Sequence, residues 1–124
     1  MRFDFDNNVP IYIQIVEQLK ICIISGRIQP GERLPSVRDL ALQTKVNPNT
    51  MQKALMELEE LNLVYTERTN GKFVTTNQKL IDKYKKKYRE ELTNKYFEGM
   101  KNIGFDKNET IEYLKKLGGD KWWN

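Results

Sequence analysis

The chain has 124 residues, 39% hydrophobic and 31% charged, which fits one folded domain or one small domain with an appendage. It has no histidine and one cysteine, Cys22, so Ser/His/Asp and Cys/His catalysis are excluded and the donors of a zinc cluster are missing. The net charge of +4 hints at a polyanionic partner, yet residues 1–76 hold 9 Lys/Arg against 9 Asp/Glu and residues 77–124 hold 12 against 8, so the placement of charge has to carry the argument.

No paired-carboxylate motif or glycine-rich phosphate loop stands out, and neither an enzyme nor a cofactor is expected. No run approaches the roughly 18 apolar residues of a membrane span. The start, "MRFDFDNNVP", carries acids and no apolar core of signal-peptide length, so a cytoplasmic location away from membranes is expected. Cys22 sits in an apolar run and reads as a buried small hydrophobe.

In chain order, Pro10 opens a periodic run with Ile11, Ile15, Leu19 and Ile23 on one face, and Gly26 stops it; a first helix is expected over about 10–25. "QPGERLPS" makes a Pro-Gly turn and a short extended piece at Arg33-Leu34, because Pro35 pushes Leu34 out of the helical region. Ser36 and Asp39 have the spacing of an N-terminal cap, so a short helix is expected over 36–44. Asn47 caps a third helix that starts at Pro48, with Met51, Ala54, Leu55, Leu58 and Leu61 as its inner stripe.

This third helix has its charges in an unusual order. Its start carries Asn47, Asn49, Thr50, Gln52 and Lys53 with no acid, and its end carries Glu57, Glu59 and Glu60. A helix placed for stability alone prefers acids at its positive N-terminal end. A helix that enters a DNA groove nose first needs the reverse, since phosphates repel acids there.

Two β-rich runs, Val64–Thr66 and Lys72–Thr75, then flank Thr69-Asn70-Gly71, a hairpin signal because Asn and Gly both tolerate positive φ. Helix, extended piece, helix, turn, helix and hairpin make a winged helix-turn-helix. From Asn77 the chain changes. Leu80, Ile81, Tyr84, Tyr88, Leu92, Tyr96 and Met100 recur at three- and four-residue steps along a lysine-rich helix over about 77–101. Asp106 and Glu109 cap a last helix with Ile111, Leu114 and Leu117 on one side. Such stripes need a partner surface, and a second subunit is favoured over the winged module. Trp122 and Trp123 are expected to pack on the tail helices or a dimer seam. The run "KYKKKYREE" reads as a solvated helix face, with extra phosphate contacts as the rival reading.

Over about residues 9–75 the chain resembles the winged helix-turn-helix of the GntR family of bacterial transcription regulators. The resemblance rests on Pro10-Ile11-Tyr12, Gly26, Pro30-Gly31, Leu34-Pro35-Ser36, Arg38, Leu40-Ala41, Val46-Asn47, Thr50, Ala54-Leu55, Leu58 and the wing ending Gly71-Lys72-Phe73-Val74. The two-helix tail is similar to that of the YtrA-type branch, whose members dimerise through it and often control transporter operons. The resemblance implies a mostly α fold: a winged helix-turn-helix of three helices plus a β-hairpin wing over residues 1–76, then a two-helix dimerisation tail over 77–124.

It also places the family's DNA-contacting positions on Arg38, Pro48, Asn49, Thr50, Gln52, Lys53, Asn70 and Gly71. Ser36, a cap whose hydroxyl suits a phosphate, Asn47, a cap first, and Lys72 at the wing complete the expected surface. Gln52 and Asn49 suit base edges, since a primary amide pairs bidentately with adenine. Two departures stand out. Some relatives carry arginine where Pro48 and Gln52 stand, and the wing "ERTNGKF" is less basic and less glycine-rich than theirs.

The expected function is therefore a homodimeric transcription regulator, a repressor by preference, on an inverted-repeat operator in double-stranded DNA. A small-molecule effector stays open as a further partner. The rivals are a winged helix used for protein contacts and an RNA-binding winged helix; an enzyme ranks below both.

Overall fold

A computed structural model describes residues 2–119. It holds α1 (Ile11–Ile24), α2 (Val37–Thr44), α3 (Pro48–Glu60), β1 (Val64–Glu67), β2 (Gly71–Val74), α4 (Gln78–Asn102) and α5 (Lys107–Gly119), in the expected order. The fold is a mostly helical winged helix-turn-helix with a helical tail. Trp122 and Trp123 lie outside the described residues.

The chain divides into two units, Met1–Lys85 and Lys86–Asn124, so the first unit runs past the boundary expected at residue 76. Its core forms where α1 and α2 each pack on α3. Ile15, Leu19 and Ile23 of α1, Leu40 of α2, and Met51, Leu55 and Leu58 of α3 are almost wholly excluded from water. Each buried aliphatic side chain of this size stabilises the fold by about 1.5–3 kcal/mol before entropy is counted. Cys22 is buried, as its apolar surroundings imply.

Helix boundaries follow local chemistry, with two surprises. Ser36 accepts a hydrogen bond from the Asp39 amide at 3.1 Å, and Asn47 Oδ1 accepts one from the Asn49 amide at 2.8 Å. Pro48 occupies the first turn of α3 as expected. Pro10 instead stands one residue outside α1 as its cap and brings no side-chain bond. Gln14 folds back on the N-terminal arm, donating to the carbonyls of Asp6 and Val9 at 2.6 and 2.8 Å and so tying the arm to the first turn of α1. The second surprise is Lys45, which ends α2 in the left-handed region at φ 58°, where glycine would be the ordinary choice.

The wing is antiparallel, pairing Val64 with Val74 and Glu67 with Gly71. Arg33 adds a bridge to Phe73, and the Leu34 amide donates to the Lys72 carbonyl at 2.8 Å, so the extended piece before α2 forms a third, minimal strand. The hairpin turns at Thr69-Asn70-Gly71 as expected, with the positive φ on one of the two residues. Gly71 has positive φ, at 103°, but Asn70 does not. The Asn70 amide donates to the Glu67 carbonyl at 3.2 Å, which makes a three-residue loop closed by glycine.

The start of α4 also departs from expectation. Ile81, assigned from sequence to a dimer seam, is buried in the core of its own chain, and Leu80 and Tyr84 pack against the same core. Lys20 of α1 holds its ammonium 5.4 Å from the Tyr84 ring centroid. The physical reason is that the first apolar residues of α4 follow β2 directly and reach the core of the winged unit before the helix leaves it.

In the second unit Asp106 and Glu109 form the expected reciprocal cap, with bonds of 2.8 and 3.2 Å. Thr110 is buried and donates to the Asp106 carbonyl. Tyr88, Ile111 and Leu117 are half-buried, whereas Leu92, Tyr96 and Leu114 of the expected seam are exposed. Ile103, Phe105 and Tyr113 are exposed beside them in the same unit. An apolar groove of about 730 Å³ lies between Tyr96, Met100, Ile103, Phe105 and Tyr113, with Glu109 and Glu112 on its rim. No helix among the described residues is long and apolar enough to cross a membrane.

Candidate nucleic-acid interface

The exposed side of α3 is the face left over when its stripe of Met51, Ala54, Leu55 and Leu58 turns into the core. Asn49, Gln52 and Lys53 fall on this outer face with Asn47 and Pro48, and Thr50 is half-buried at its edge. The first turn contains no acid. Its unbonded backbone N–H groups and the positive helix end therefore meet no competing carboxylate, which suits an approaching phosphate. Lys53 is further positioned by α1, its ammonium standing 3.8 Å from the centroid of the Tyr12 ring.

Helix α2 adds exposed Ser36 and Arg38. The Ser36 oxygen accepts the helix cap bond, which leaves its hydroxyl proton for an outside acceptor. Among the described residues Arg38 makes no ion pair or hydrogen bond through its guanidinium. A free, planar donor fork of this kind suits phosphate or a guanine edge.

The wing is arranged differently from the sequence expectation. Asn70 and Gly71 sit at its tip, but the Asn70 amide group is engaged with the Glu67 carboxylate at 3.0 Å. Lys72, expected to face outward, turns back over α3. Its ammonium lies 3.2 Å from Glu59 and 2.9 Å from the Thr66 hydroxyl, and Thr66 itself donates to Glu59. The cause is the acidic end of α3. Glu59 offers a carboxylate with its side chain only 28% exposed, where an ion pair is less screened than on open surface. So Glu59, one of the acids that follow the nose of α3, also clamps the wing to it.

Two arginines escaped sequence reasoning. Arg68 is exposed in the wing loop, and Arg33 lies under the wing tip, with its guanidinium against the Gly71 backbone. A glycine at positive φ marked the turn but gave no sign of which side chain passes beneath it. Tyr12 was read only beside the apolar face of the first helix and within the family match, with no link to Lys53.

These features define a winged helix-turn-helix with a recognition helix that presents amides and a lysine, capped and free of acids at its leading end. Comparison with known proteins agrees. Residues 11–74 match the model of the bacterial regulatory proteins of the gntR family. The chain is similar to the uncharacterized HTH-type transcriptional regulator YhcF of Bacillus subtilis, with 39% identity over 93% of this chain and 95% of that protein. It is similar also to the HTH-type transcriptional repressor YtrA of the same organism, at 32% identity over 97% of this chain and 93% of the relative. Among solved structures, a GntR family transcriptional regulator from Listeria monocytogenes superposes with a TM-score of 0.81 at 38% identity, covering 90% of this chain and 98% of that one. The protein belongs to the GntR family and is a DNA-binding transcriptional regulator.

Proposed function

We propose that the chain acts as a homodimeric repressor of the YtrA-type branch, binding an inverted-repeat operator that controls a transporter operon. The observation that carries the reading is the leading end of α3, where Asn49, Gln52 and Lys53 are exposed together with no acid in the first turn. In a dimer two such helices meet successive major-groove faces about one helical turn apart. Ser36, Arg38 and Thr50 fix register on phosphates, while Asn49 and Gln52 read base edges. The exposed Leu92, Tyr96 and Leu114 support a seam in the second unit, because a solvated apolar face of this extent has a cost that pairing removes. Similarity to YtrA along nearly the whole chain, tail included, supports both the branch and the repressing sign. A small effector that fits one dimer geometry better than another would shift the spacing of the two helices and so the operator affinity.

The test is selection from a random duplex pool with the full chain, paired with sedimentation of the protein alone and on the selected duplex. Enrichment of an inverted repeat with half-sites about 10 base pairs apart, bound by two chains, is the expected result. Recovery of no motif, with equal and salt-labile binding to every duplex, would overturn sequence-specific recognition and favour a protein-contact module. A single-copy complex on an asymmetric site would overturn the dimer.

A further inference from the structure

We propose that Arg33, on the extended piece before α2, is the cation with which the wing reads an A·T-rich minor groove; this rests on the DNA-binding reading above. The sequence places Lys72 on the expected wing surface, but Lys72 is held against Glu59 and Thr66 and offers its charge inward. Arg33 takes its place. It is exposed, and its guanidinium has no ion pair or hydrogen bond among the described residues.

Its position is built rather than accidental. The backbone of Arg33 is fixed by the bridge to Phe73 and by the neighbouring bond from the Leu34 amide to the Lys72 carbonyl. A Cβ on Gly71 would stand 3.2 Å from Arg33 Nε and 3.5 Å from one of its terminal nitrogens. The missing side chain thus leaves a bed on which the planar guanidinium rests against the wing backbone. No carboxylate among the described residues pairs with Arg33. Glu32 accepts from the Gln29 amide at 3.0 Å, Glu67 from Asn70, and Glu59 from Lys72.

The planar guanidinium fork is itself pre-organised, so less freedom is lost per hydrogen bond formed on binding. The narrow groove of A·T tracts concentrates negative potential, and arginine is the side chain it draws in. Arg33 therefore supplies a preference for A·T pairs flanking the half-sites, separate from anything α3 reads in the major groove.

The experiment uses the duplex recovered by the selection above and the same duplex with its flanking adenines replaced by 2,6-diaminopurine. That base keeps the major-groove edge of adenine and adds an amino group to the minor groove. Wild-type chain, Arg33→Ala, Arg33→Lys and Lys72→Ala are titrated on both by fluorescence anisotropy, with thermal melts to confirm folding. Wild type is expected to lose about tenfold in affinity on the modified duplex. Arg33→Ala should be about tenfold weaker on the natural duplex and insensitive to the modification, with Arg33→Lys between them and Lys72→Ala behaving as wild type. Equal binding by Arg33→Ala and wild type would overturn the assignment, as would an Arg33→Ala loss that is the same on both duplexes while wild type ignores the modification. Failure of wild type to prefer its selected duplex over a scrambled one would overturn the DNA-binding reading itself, a distinguishable result.

Discussion

The Lys53 ammonium stands 3.8 Å from the centroid of the Tyr12 ring, so the first turn of α1 positions a side chain of the recognition helix. A cation over an aromatic face at a surface site contributes about 0.5–1 kcal/mol. Tyr12→Leu should therefore weaken duplex binding about two- to fivefold, similarly for all sequences, because Lys53 then loses its preferred direction. Tyr12→Phe keeps the ring and should bind as wild type. Anisotropy titrations of the two variants decide the point; equal losses in both would implicate the hydroxyl instead.

Glu59 gathers Lys72 and Thr66 at the base of the wing, and both partners of the ion pair are partly buried. Removing one partner strands the other in a site with reduced solvation. Lys72→Ala should lower stability by about 1 kcal/mol, visible as a fall of several degrees in melting temperature, while operator affinity changes less than about threefold. Glu59→Gln should release the Lys72 charge and strengthen non-specific DNA binding at low salt.

Gln52 and Arg38 are both exposed on the presented face, yet they should fail in different ways. Gln52→Ala should relax discrimination at one base-pair position by about 1–3 kcal/mol and leave non-specific binding intact. Arg38→Ala, as a phosphate contact, should weaken all duplexes and reduce the salt slope by about one unit. Base-substituted operator panels at two salt concentrations separate these patterns. A position-specific effect of Arg38 would show that it reads a guanine edge.

Ile81 and Leu92 lie on one long helix but belong to different interactions. Ile81 is buried in the first unit's core, and Leu92 is exposed. Ile81→Ala should destabilise the fold by about 2–5 kcal/mol without a specific effect on association. Leu92→Glu should leave the helical content of the full chain nearly unchanged and drive sedimentation toward a single chain. Persistence of the dimer in Leu92→Glu would place the seam elsewhere.

Lys45 closes α2 at φ 58° without being glycine. A left-handed residue carrying a Cβ costs about 1–2 kcal/mol, part of which glycine returns through its freer unfolded state. Lys45→Gly should raise stability by up to about 1 kcal/mol in denaturant titration.

Local chemistry made most of this fold legible in sequence. Ser36 and Asn47 cap helices, Pro48 starts one, and the Met51-Ala54-Leu55-Leu58 stripe selects the buried face, because each of these depends on neighbours within about four residues. The acid-free nose of α3 was legible for the same reason. What only tertiary structure decided are the pairings between distant elements: Ile81 with the core, Lys72 with Glu59, Tyr12 beneath Lys53 and Arg33 beneath Gly71. A lysine two residues past a loop looks the same in sequence whether it faces a phosphate or a glutamate at the end of α3. The direction it takes is set by where α3 ends relative to the wing, a relationship that comes into being only when the core closes.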